Sequence, residues 1–64
     1  MSEQARRQLS EKVRALRKLR GWSQMELAER ADISVTQIQR VEQGLNVTLD
    51  TLDKIGSALN HELY

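Results

Sequence analysis

The 64-residue chain contains no cysteine, no proline and no phenylalanine, and only one tryptophan and one tyrosine. Without cysteine there are no disulfides and no thiolate ligands, and a single histidine, His61, cannot form a structural metal site alone. With aromatics at 3%, the core has to be built from Leu, Ile, Val, Ala and Met. A core of this size is marginal by itself, so dimerisation is the remaining common way to reinforce it. No apolar run approaches the roughly 18 residues that span a membrane, and the N-terminus has no signal-peptide core. Together with the missing cysteines, this reads as a soluble, cytoplasmic protein. The acids are scattered, no nucleophile is paired with a base, and no glycine loop could cradle a phosphate. Neither an enzyme nor a cofactor is expected.

What is present is charge, unevenly spread. The net charge is only +1, but residues 1–20 hold seven cations (Arg6, Arg7, Lys12, Arg14, Arg17, Lys18 and Arg20) against Glu3 and Glu11. Residues 21–64 carry the compensating acidic surplus. A basic segment of this kind serves either as a source of phosphate contacts or as the solvated face of an amphipathic helix. The charges alone leave both readings open.

The pattern is helical throughout, and four helices account for almost the whole chain. Leu9, Val13 and Leu16, with Ala5 and Leu19 a turn to either side, predict a first helix over about 5–20, ended by Gly21. Arg17 lies beside that stripe, at the core edge. Ser23 with Glu26, and Ser34 with Gln37, are two capping boxes eleven positions apart. They predict helices over 24–31 and 35–43, with Asp32 and Ile33 as a tight turn in which Asp takes a positive φ. Leu27, Ala28, Ala31, Ile33, Ile38 and Val41 then point inward, and Gly44 is placed for a left-handed cap. Thr48 caps a fourth helix over 49–59, with Leu49, Leu52, Ile55 and Leu59 as its buried face. Gly56 and Ala58 permit another helix to approach closely.

Two short capped helices joined by a tight turn form a helix-turn-helix, which lays its second helix in the major groove of DNA. Val35, Thr36, Gln37, Gln39 and Arg40 face outward from that helix. Arg40 can donate two hydrogen bonds to guanine, Val35 and the Thr36 methyl suit a thymine methyl, and Gln37 or Gln39 can read adenine. Gln24, at the positive end of the preceding helix, suits a phosphate.

In order and without gaps, V-R-A-L-R-K-L-R-G-W-S-Q-M-E-L-A-E-R-A, D-I-S-V-T-Q-I-Q-R-V-E-Q-G and V-T-L-D-T-L-D-K-I-G-S-A-L resemble the Cro/C1-type (XRE-type) helix-turn-helix family of bacterial and phage regulators. The resemblance implies an all-α, lambda-repressor-like domain, here with four helices where many members add a fifth. It implies base contacts from Val35, Thr36, Gln37 and Arg40, with Gln39 at the margin. Phosphate contacts are implied for Gln24 and Gln43, and for Asn46 as a further candidate. Arg17 and Glu42 take positions that pair structurally in some relatives. Asp32 departs from the usual Gly, and Trp22 from the usual aliphatic residue, where packing rather than base stacking is the reading for the indole.

The function implied is a DNA-binding transcriptional regulator, a repressor acting as a homodimer on a palindromic operator in the cytoplasm, at the nucleoid. The dimer contact is expected at Leu59, Leu63 and Tyr64. The alternative is an antitoxin that binds a toxin protein and represses its own operon. It is suggested by the alternation His61-Glu62-Leu63-Tyr64, which suits a short strand paired across a dimer.

Overall fold

The computed structural model describes residues 1–61 and Leu63. Four helices follow one another, α1 (Glu3–Leu19), α2 (Gln24–Ala31), α3 (Val35–Glu42) and α4 (Leu49–Leu59), with no strand among the described residues. The first helix begins two residues earlier than the apolar stripe indicates, because Ser2 caps it by accepting from the Ala5 N–H. Ser23, Ser34 and Thr48 cap the other three in the same way. Only α3 has the reciprocal capping box, with Gln37 Oε1 accepting from the Ser34 N–H at 3.2 Å. In α2 the Glu26 carboxylate accepts instead from Arg30, one turn on, at 3.0 Å.

All four helices stop by one device. Gly21, Asp32, Gly44 and Asn60 adopt φ of 72°, 59°, 78° and 53°. In each case the next residue donates its N–H to a carbonyl five positions back: Trp22 to Arg17, Ile33 to Ala28, Leu45 to Arg40 and His61 to Gly56. A left-handed residue followed by this bond is a Schellman ending. Asp and Asn can stand in for Gly because they tolerate the left-handed region better than other side chains.

The core joins Leu9 and Val13 of α1, Leu27, Ala28 and Ala31 of α2, Ile38 and Val41 of α3, and Leu52, Ile55 and Leu59 of α4. Leu16, Trp22, Ile33 and Val35 pack partly against it. Two leucines assigned to buried stripes lie outside: Leu19 is 79% exposed and Leu49 63%. At about 100° per residue, each sits roughly a quarter turn from the centre of its stripe, so a short or ending helix leaves it in solvent.

After α4 the chain doubles back. Leu63, 8% exposed, joins the core. Gly56 makes room for this return and not for another helix, since a Cβ at that position would lie 2.8 Å from the His61 carbonyl oxygen. Leu59 is fully buried. Leu59 and Leu63, expected at a dimer contact, are therefore turned into the chain's own core, and Tyr64 lies outside the described residues, as does the Glu62 half of the expected strand.

Candidate nucleic-acid interface

The sequence S-V-T-Q-I-Q-R-V-E places Ile38 and Val41 three apart, and both are buried. That choice of inner face dictates the outer one. Thr36, Gln37, Gln39 and Arg40 are exposed, whereas Val35 is only half-exposed and shares in the core. Gln37 has its amide oxygen engaged by the helix start, leaving its NH₂ as the free function. Arg40 forms no ion pair or side-chain hydrogen bond among the described residues, so its five N–H donors face solvent. Gln43 and Asn46, just beyond α3, are also exposed. The surface is thus a short row of donors and one methyl-bearing side chain, without a carboxylate.

What holds this row in place is Glu42, whose side chain is 2% exposed. Arg17 Nε donates to its Oε2 at 2.7 Å and Arg17 Nη2 to its Oε1 at 3.0 Å, a two-point fork. Gln24 Nε2 donates to Oε1 at 3.1 Å, and Arg14 Nε lies 3.6 Å from the same oxygen. Burial alone would push the Glu42 carboxyl up. The bonds from Arg17 and Gln24, with the charges of Arg17 and Arg14, outweigh it and hold the group below the usual carboxylate range. Arg17 is raised in turn, first by its bond to Glu42, with burial opposing and the carboxylate charge adding. Arg17 also donates through Nη1 to the Trp22 carbonyl at 2.9 Å. One buried carboxylate therefore ties α1, the start of α2 and the end of α3 together.

The node engages Gln24. Its amide nitrogen has one N–H on Glu42 and the other free to donate elsewhere. The sequence shows a polar residue at a helix start; it does not show a carboxylate arriving from a position eighteen residues later. Trp22 is half-buried against the core, with the Arg30 guanidinium 4.3 Å and that of Arg20 5.8 Å from its ring centroid. Such stacking leaves the indole as a packing surface.

The N-terminal cations are largely committed as well. Arg14 Nη2 donates to the Glu42 carbonyl at 2.7 Å, Arg6 Nε to the Gly44 carbonyl at 3.0 Å, and Arg20 Nη2 to the Leu59 carbonyl. Arg7 lies 3.9 Å from Glu3 in an exposed pair. Among the described residues no helix is long and apolar enough to cross a membrane, and no His, Asp or Glu cluster could hold a metal ion.

No curated protein and no solved structure matches the chain. A family model described as helix-turn-helix matches residues 13–63, which runs from the middle of α1 through the whole of α2, α3 and α4. Sequence match, four-helix architecture and the α2–turn–α3 geometry agree: the chain belongs to the Cro/C1-type (XRE) helix-turn-helix family of DNA-binding transcription regulators.

Proposed function

We propose that the chain is a cytoplasmic repressor that binds a palindromic operator as a homodimer. Each copy lays α3 in a major groove, the two grooves roughly 34 Å apart on one face of the duplex. The observation that carries this reading is the outward row Thr36, Gln37, Gln39 and Arg40, presented by a helix whose end is held by a buried carboxylate. Arg40 is the guanine reader, and the methyl of Thr36 and the edge of Val35 meet a thymine methyl. Gln39 reads adenine through both amide atoms, while Gln37, whose oxygen is held by the Ser34 N–H, donates to a base edge through its NH₂. Gln24, through its second N–H, Gln43 and Asn46 contact phosphates and set the register. Occupying the operator excludes polymerase.

The antitoxin reading is suggested by the alternation of the last four residues. Of these, Leu63 packs into the chain's own core, and Glu62 and Tyr64 lie outside the described residues. Because Leu59 and Leu63 are buried in the single copy, the twofold contact uses other surface.

Selection of bound sequences from a random duplex library tests the proposal. The expected result is an inverted repeat with half-sites about one helical turn apart. Arg40→Ala should cost about 1–3 kcal/mol and relax preference at one base pair in each half-site. Unchanged binding by that variant would remove α3 as the reader. A single sedimenting species of monomer mass on the selected operator would remove the dimer.

A further inference from the structure

We propose that Arg6 and Arg14 are positioning residues that clamp the C-terminal end of the recognition helix, and are not phosphate contacts. The charge pattern offers them to DNA; the hydrogen bonds assign them to the protein. A helix end leaves four carbonyls without helical partners. At the end of α3 three of these are served by the backbone. Gln39 O accepts from Gln43 N–H at 3.0 Å, Arg40 O from Leu45 N–H at 3.0 Å, and Val41 O from Gly44 N–H at 3.1 Å. The fourth, Glu42 O, has no backbone donor among the described residues, and Arg14 Nη2 takes it at 2.7 Å. The next turn outward is served from the same helix, by Arg6 Nε on Gly44 O at 3.0 Å across 38 positions of sequence. Arg6 Nη1 also holds Met1 O at 2.6 Å.

Both guanidinium groups are therefore used at two points each. Arg14 spans the Glu42 carbonyl and, at 3.6 Å, its carboxylate. Arg6 spans the end of α3 and the start of α1. A planar fork can do this; the single ammonium of lysine cannot replace it at both points. Two cations against the negative end of an eight-residue helix also oppose its dipole. Helices this short are not stable by propensity alone, so the last turn of α3, which carries Gln39 and Arg40, draws on this clamp as well as on the buried Ile38 and Val41 and the Arg17–Glu42 fork. Insofar as it concerns DNA, the inference rests on α3 as the reader.

The test uses Arg14→Gln and Arg14→Lys in the full chain, with Arg6→Gln and Arg6→Lys in parallel. Without DNA, amide exchange by NMR should accelerate about tenfold at Gln43, Gly44 and Leu45 in both members of each pair. Exchange in α2 and α4 should stay at the wild-type rate. With the selected operator and a scrambled duplex, preference should fall about tenfold for Lys and Gln alike, and the dependence on salt should keep its wild-type slope. A phosphate contact gives the opposite pattern: Lys restores binding, and Gln lowers the slope by about 0.9 with preference intact. That pattern, or wild-type exchange at Gln43–Leu45, overturns the clamp. A wild-type chain that binds no duplex overturns the repressor reading, while the exchange data still decide the clamp.

Discussion

Removing Arg17 should do more damage than removing Arg17 and Glu42 together. In Arg17→Met a carboxylate 2% exposed loses its two-point partner and keeps only Gln24 at 3.1 Å and Arg14 at 3.6 Å. Breaking a buried pair from one side costs about 3–5 kcal/mol, because the remaining charge stays out of water without compensation. A domain of this length has a total stability of only about 3–10 kcal/mol, so the variant should sit at the edge of unfolding. Glu42→Met strands the Arg17 guanidinium, 12% exposed, with the Trp22 carbonyl, and should cost about 2–4 kcal/mol. Arg17→Met/Glu42→Met buries no charge, and apolar replacements of similar volume are often tolerated. Its loss should be about 1–3 kcal/mol, which leaves a coupling of at least about 2 kcal/mol. Urea titration followed by far-UV dichroism and by Trp22 fluorescence measures each corner of the cycle. Additive losses, or single variants that lose under about 1 kcal/mol, would refute the view of Glu42 as the joint between three helices. The same node sets a pH dependence. The folded Glu42 carboxyl titrates below its ordinary value of 4.5, so its contribution is present above that pH and is lost as pH falls through the lower folded value. Arg17 is raised from an already high value, so its contribution persists throughout neutral pH. Glu42→Gln should flatten the acid limb of the stability curve.

Other positions give independent checks. Asp32, at φ 59°, should accept Gly without loss, whereas Asp32→Val should cost about 1–2 kcal/mol or more in urea. Gly56→Ala sets a helix-propensity gain of about 1 kcal/mol against expulsion of the returning chain by a Cβ 2.8 Å from His61 O. Because freeing Leu63 forfeits about 1.5–3 kcal/mol, a net loss is expected, and a stabilised variant would contradict the close approach. Leu19→Ser and Leu49→Ser, at sites 79% and 63% exposed, should each change stability by no more than about 0.5 kcal/mol. A larger thermal shift for either would place it in a contact that the single copy does not make.

Local chemistry was the legible part of the sequence. Ser23, Ser34 and Thr48 each accept from the N–H three residues on, so every helix start after the first is written in one short segment. Asp32 and Gly44 mark stops in the same way. The inner faces of α2 and α3 follow from period alone. The misjudged positions depend on something distant. Leu19 and Leu49 fit a stripe by spacing, yet no neighbouring helix reaches them. Leu63 is buried because Gly56, seven positions upstream of it, admits the backbone of His61, a relation no periodicity contains. The basic excess of residues 1–20 looked like a property of the surface. Arg6, Arg14 and Arg20 instead find carbonyls on the turn after α3, on α3 and on α4, in that order, and net charge carries no information about where a carbonyl is left over. Gln24 shows both sides: its place at a helix start could be read directly, but its bond to Glu42 could not.

The way the four helices end has a consequence for how the chain reaches its fold. Each boundary is set by a cap three residues away or a carbonyl five residues away, so the helices can be bounded before any of them meets another. The remaining search is the docking of short rods, with few distant pairings to find, a topology associated with folding in microseconds to milliseconds. With no proline in the chain, no prolyl bond has to isomerise on a scale of tens of seconds. A nascent copy is therefore ready to meet DNA almost as soon as α4 is free, with no slow isomerisation to wait for.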